Sequence, residues 1–223
     1  MIDYMQKGGP LMWLLVLLSI VSTVVFAERL IYYHRVTIRL GEFLRGLSNL
    51  ISRGNFAEAL HECAGTAGPV ARVIHAAIVR HEAPRAELKE IVQEAGQLEV
   101  PKLERRLPML ATIAYVAPLV GLLGTVTGLI EAFITLSGNA GGVATTADIA
   151  TGVYKSLLTT AAGLVVAIPT SLAFSFLSSR VNTLMHDMER AGIEIVNLIT
   201  QTPPAPQPII KFGDRQRAAG RME

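Results

Sequence analysis

Three hydrophobic blocks restrict this chain more than any other feature in it. Residues 8–27, 107–130 and 156–179 form runs of 20 to 24 residues with no Asp, Glu, Lys or Arg. An α-helix needs about 20 apolar residues to cross a bilayer core of roughly 30 Å. No water reaches the hydrocarbon to pair with backbone N–H and C=O groups, so each block must be helical. The expectation is an all-α membrane protein with three transmembrane helices, which removes most soluble-enzyme readings.

The flanking charges give an orientation. Of the 20 Lys and Arg residues, only Lys7 precedes the first block and only Lys155 lies between the second and third. The others follow the first block or the third, and loops rich in Lys and Arg stay in the cytoplasm. The N-terminus is therefore expected outside and the C-terminus inside. The first block has a weak cleavage-like Val25-Phe26-Ala27. Its apolar run is too long for a signal peptide and its positive flank follows it, so it reads as an uncleaved anchor.

The expected segments are a first transmembrane helix at 8–28, a cytoplasmic helical region at 29–106 and a second transmembrane helix at 107–134. A short periplasmic loop at 135–154, a third transmembrane helix at 155–179, a cytoplasmic helical extension at 180–200 and a disordered tail at 201–223 follow. In the cytoplasmic region, apolar residues recur at helical spacing from Leu40 to Ile51, from Val70 to Ile78 and from Leu88 to Leu98. Gly54-Asn55 and Pro84-Arg85 interrupt the pattern. The third pattern leads through Pro101 and Pro108 into the second span, and one long helix bent at the prolines is expected there. Four prolines between Pro203 and Pro208 mark the tail as disordered. The single Cys63 cannot form an internal disulfide and reads as a packing residue.

The second span carries Ala117, Gly121, Gly124 and Gly128 at steps of four, three and four, a helix face almost without side chains. Such faces let membrane helices approach closely. Thr125 sits beside that face, and Pro118 removes a backbone hydrogen bond and frees a carbonyl. The third span repeats the device with Ser156, Thr160, Gly163, Ala167 and Ser171, and Pro169 lies in its inner half. On these residues alone two readings stand: a tight bundle enclosing a polar path, or simple packing with each hydroxyl bonded to its own helix.

These residues resemble a family. Gly8-Gly9-Pro10 with Trp13 and Glu28-Arg29, the run from Ala117 to Gly128, and the run from Leu157 to Pro169 look like the MotA/TolQ/ExbB proton-channel family, closest to its three-span ExbB branch. The resemblance implies a homo-oligomeric ring, a pentamer, in the bacterial inner membrane. The ring would enclose an ExbD- or TolR-like single-span protein whose membrane Asp takes and releases the proton. Work would be delivered to a periplasm-spanning TonB- or TolA-like arm. By motif position Thr125 and Thr160 are the path-lining threonines. Pro118, Gly121, Gly124, Gly128, Ser156, Gly163 and Pro169 would shape the path or pack the helices.

Glu131 and Lys155 are candidate mouth charges at the outer ends of the second and third spans. Many relatives carry a carboxylate where Lys155 stands, which bears on which ion passes. The chain has no acid in mid-span and so cannot itself be the titrating partner. It shows no enzyme site: five histidines form no HExxH pattern, His61 with Cys63 makes a poor metal site, and Gly121-Leu122-Leu123-Gly124 lacks the Lys of a phosphate loop. No cofactor or metal is expected, and no basic run suggests nucleic acid. The rivals are a TolQ-like envelope-maintenance ring, a Na⁺-driven stator-type ring and a non-conducting membrane scaffold.

Overall fold

A computed structural model describes residues 9–36, 40–138 and 146–201. Every secondary-structure element among them is helical: α1 (Gly9–Val36), α2 (Leu40–Ser52), α3 (Phe56–Gly65), α4 (Pro69–Val79), α5 (Arg85–Glu104), α6 (Leu107–Gly138) and α7 (Thr146–Gln201). Three helical stretches are long and apolar enough to cross a membrane. Residues 1–8, the part of the expected outer loop at 139–145 and the tail at 202–223 lie outside the described residues.

Two compact units divide the chain. One comprises residues 1–37 and 97–186; the other comprises 38–96 and 187–223. In the second unit the helical periodicities close on a buried core. Leu44, Leu47 and Ile51 of α2, Ala59 and Cys63 of α3, and Val73, Ile74, Ala77 and Ile78 of α4 are all buried. So are Met188, Ile195 and Ile199 of α7. Pro69 opens α4, where its missing N–H is harmless. Arg85 Nη2 donates to Asn197 Oδ1 at 2.8 Å.

The first unit inverts that distribution. Leu15, Ala117, Val120 and Ala167 form a small core where α1, α6 and α7 meet, packed by Leu11, Val116, Ala162 and Val166. Elsewhere its large apolar side chains point outward. Among the described residues, all exposed large apolar side chains except Val79 and Ile193 belong to this unit. A soluble domain does not expose such a surface, whereas helices solvated by lipid must.

The expected single helix through Pro101 and Pro108 is two helices. Pro101 is accommodated inside α5, and Pro108 takes the second position of α6, where no N–H is needed. The break falls between the prolines, at Arg105-Arg106. Arg106 adopts φ 72°, a left-handed conformation that non-glycine residues rarely take. Ending α5 at Glu104 strands its last carbonyls. Side chains from α1 take two of them: Tyr33 Oη donates to Leu103 O at 2.7 Å, and Arg29 Nη1 reaches Lys102 O at 3.5 Å. Arg29 is only 4% exposed. Its charge meets the negative end of the α5 dipole, and its guanidinium lies 5.3 Å from the Tyr32 ring centre. Glu28 pairs with Arg106 itself, and Glu99 with Lys102 at 2.7 Å. The turn that starts the second span is thus held by the C-terminal end of α1.

Candidate functional site

The small-residue faces of α6 and α7 meet along an antiparallel seam. A Cβ built on Gly121 would lie 3.1 Å from Thr160 Cα and 3.3 Å from Gly163 Cα. One built on Gly163 would lie 2.7 Å from Ala117 O and 3.0 Å from Gly121 Cα. Backbone therefore touches backbone at this level. Further along, Gly124 faces the side chain of Thr159, Gly128 faces Ser156 Cβ at 2.9 Å, and Gly152 faces Ala132 Cβ at 2.7 Å. Lipid offers no hydrophobic drive between helices, so this close van der Waals contact holds the pair.

Thr160 is half-buried on this seam, and its Oγ1 donates to the Gly121 carbonyl of α6 at 2.9 Å. That carbonyl is also the helical acceptor for the Thr125 amide four residues on. The two threonines singled out in the sequence therefore share one oxygen. The Thr125 hydroxyl donates within its own helix, to Leu122 O at 2.6 Å. Both protons are engaged and both oxygens keep lone pairs, so each hydroxyl can accept now, or donate after a small rotation. Pro118, half-buried, follows Ala117 at the tightest part of the seam. It withholds an N–H from the Ala114 carbonyl one turn earlier.

The other sequence candidates are dispersed. Ser156 is buried on the seam, with its hydroxyl donated to Val153 O at 2.7 Å. Pro169 is exposed and lines a groove between α1 and α7, away from the seam. Glu131 is exposed at its position in α6, and Lys155 is half-buried in α7. No ion pair joins them among the described residues.

Sequence reasoning missed three features. Thr159, 3% exposed, fills the notch at Gly124, and its hydroxyl donates to Lys155 O at 3.0 Å. Its signal was present, since Gly152, Ser156, Thr159 and Gly163 step by four, three and four, the rhythm of the α6 face. Ser22 of α1 and Thr170 of α7 form a buried hydroxyl pair at 3.0 Å, with Thr170 Oγ1 also donating to Val166 O at 2.7 Å. The Arg29–Tyr33 cap carried no local pattern, because its acceptors are backbone carbonyls of a distant helix.

Comparison with known proteins gives this seam a context. The pattern of the MotA/TolQ/ExbB proton channel family matches residues 66–190. A biopolymer transport protein of Synechocystis sp., ExbB-like 1, is 32% identical over 202 residues, covering 87% of this chain and 77% of that protein. The Tol-Pal system protein TolQ of Haemophilus influenzae is 42% identical over 112 residues, 49% of this chain and 48% of the relative. The biopolymer transport protein ExbB of Aquifex aeolicus is 38% identical over 112 residues, 50% of this chain and 74% of the relative. The seam lies inside the matched region. With three helices fit to span a bilayer and a family pattern over more than half its length, this multi-pass membrane chain belongs to the MotA/TolQ/ExbB proton channel family.

Proposed function

We propose that this chain is the ring subunit of an inner-membrane proton channel, driving a periplasm-spanning TonB-like protein that serves outer-membrane transport. Copies close into a ring, a pentamer by family likeness, around an ExbD- or TolR-like single-span protein that carries the membrane Asp. The N-terminus is periplasmic and the C-terminus cytoplasmic. Thr125 and Thr160 line the path. The observation that carries the reading is the Gly121 carbonyl shared by Thr160 Oγ1 and, through the helical pattern, the Thr125 amide. An intramembrane carboxylate is costly unless its surroundings answer both of its states. A threonine hydroxyl donates to the carboxylate and accepts from the acid, so the pair can serve a partner's Asp through the whole cycle. Each proton descending 100 mV releases about 2.3 kcal/mol, which the ring must pass to the arm.

A TolQ-like role in envelope maintenance is the second reading, favoured by the 42% identity to the Haemophilus influenzae protein. It uses the same ring with a different arm. Flux in proteoliposomes tests the shared core. The chain is co-reconstituted with its single-span partner under a proton gradient and, separately, under a Na⁺ gradient. Thr160→Val is expected to cut proton flux about tenfold or more in a ring that still co-purifies, because a charged transfer site loses its hydrogen bond. Thr160→Ser should restore it. Unchanged flux in the valine variant removes Thr160 from the path. No flux through the wild-type complex under either gradient favours the scaffold.

A further inference from the structure

A groove between α1 and α7 lies apart from the seam. It encloses about 380 Å³ and runs along Ser19–Phe26 and Val166–Phe176. Three of its four hydroxyls, those of Ser22, Thr23 and Thr170, are engaged within the protein. Ser22 pairs with Thr170, Thr170 donates to Val166 O, and Thr23 donates to Ser19 O at 2.8 Å. What the groove then presents is hydrocarbon from Phe26, Val166, Pro169, Leu172, Ala173 and Phe176. Water finds few free partners there, whereas an alkyl chain needs none.

The charge at one end is not hydrocarbon. Phe176 forms part of the wall, and the guanidinium of Arg180, one turn further along α7, lies 5.4 Å from its ring centre. Arg180 is exposed and has no acidic partner among the described residues. It is also the first charged residue after the apolar block 156–179. A membrane-embedded apolar slot ending at an unpaired arginine at the head-group level has the polarity of a phospholipid: acyl chain in the slot, phosphate at the cation.

We infer that the α1–α7 groove binds one acyl chain of an anionic phospholipid whose phosphate is held by Arg180. The membrane placement proposed above names the leaflet, the cytoplasmic one, but the site does not depend on the chain conducting protons. The full-length protein is reconstituted in phosphatidylethanolamine vesicles doped with phosphatidylglycerol carrying an acyl-chain diazirine. After illumination the labelled peptides are mapped. Label is expected to concentrate on the groove walls and to exceed that on Leu157 and Val165, which are exposed outside the groove. Arg180→Gln should raise the probe concentration for half-labelling about fivefold, the share of one surface cation in anionic-lipid attraction. Ala173→Leu, which fills the slot, should abolish the excess label while leaving helicity and elution volume unchanged. Even labelling over all lipid-facing positions would reduce the groove to ordinary annular contact and overturn the inference. So would an unlabelled groove whose walls cross-link to a second copy, or groove label indifferent to Arg180→Gln. Saturable groove label in a protein that passes no protons would keep this inference and sink the channel reading.

Discussion

Replacing Gly163 by alanine tests the α6–α7 seam most directly. The added methyl would sit 2.7 Å from the Ala117 carbonyl oxygen and 3.0 Å from Gly121 Cα. Both obstacles are backbone, so no side chain can swing aside and the helices must separate. Overpacking a tight interior typically costs about 1–3 kcal/mol. Separation also lengthens the 2.9 Å bond from Thr160 to the Gly121 carbonyl, and interhelical bonds in membranes average about 0.6 kcal/mol. Against this, alanine is favoured over glycine inside a helix by roughly 0.8–1 kcal/mol. The balance is a net loss of about 2 kcal/mol. Gly46 in α2 supplies the control: nothing lies within 4 Å of its would-be Cβ. Gly46→Ala should show the helix-propensity gain of about 0.5–1 kcal/mol and nothing else. Denaturant titration in detergent micelles, followed by far-ultraviolet circular dichroism, reads both variants. If Gly163→Ala equals wild type, or gains stability alongside Gly46→Ala, the backbones do not touch at this point and the seam is refuted.

Three further outcomes are expected. Tyr33→Phe leaves the buried Leu103 carbonyl without its 2.7 Å donor and should destabilise the protein by about 1–3 kcal/mol in the same titration. Burial, helped by Glu62, pushes the Cys63 thiol up from 9.0 to about 11. The stability gained by keeping that thiol neutral is complete below pH 9.0 and fades as pH rises through about 11; alkylation near neutral pH should be slow until denaturant opens the second unit. Gly192→Ala drives a methyl into the Val92 side chain and should cost about 1–3 kcal/mol, much of it recovered by adding Val92→Ala in a double-mutant cycle.

Sequence alone made the three spans legible, because composition decides what can live in a bilayer. The amphipathic pieces were equally plain: Val70 to Ile78 predicts a helix and α4 covers Pro69–Val79. The α6 face at Ala117, Gly121, Gly124 and Gly128 is visible in the sequence as a stripe of small residues. On α7, Thr160 lies on the seam against Gly121, and Thr159 beside it fills the notch at Gly124. Thr159 and Thr160 are neighbours about 100° apart on the helix, and only the crossing geometry of two helices decides which fills the notch at Gly124. The helix break failed for a different reason. Prolines are visible in a sequence, and the bend was placed at them. The actual stop at Arg106 needs a left-handed arginine, which only remote partners stabilise: Glu28 on its side chain, and Tyr33 and Arg29 on the carbonyls left behind. Non-local causes of that kind leave no period to count.

The seam also limits how this protein can change. Glycine has no smaller substitute, so every single replacement at Gly121 or Gly163 adds atoms where backbone already touches backbone. No sequence of mild intermediate steps leads away from it. Drift in this part of the chain must instead collect on the opposite sides of α6 and α7, where Leu122, Val126 and Val165 are exposed and an exchange of one apolar residue for another leaves the seam untouched.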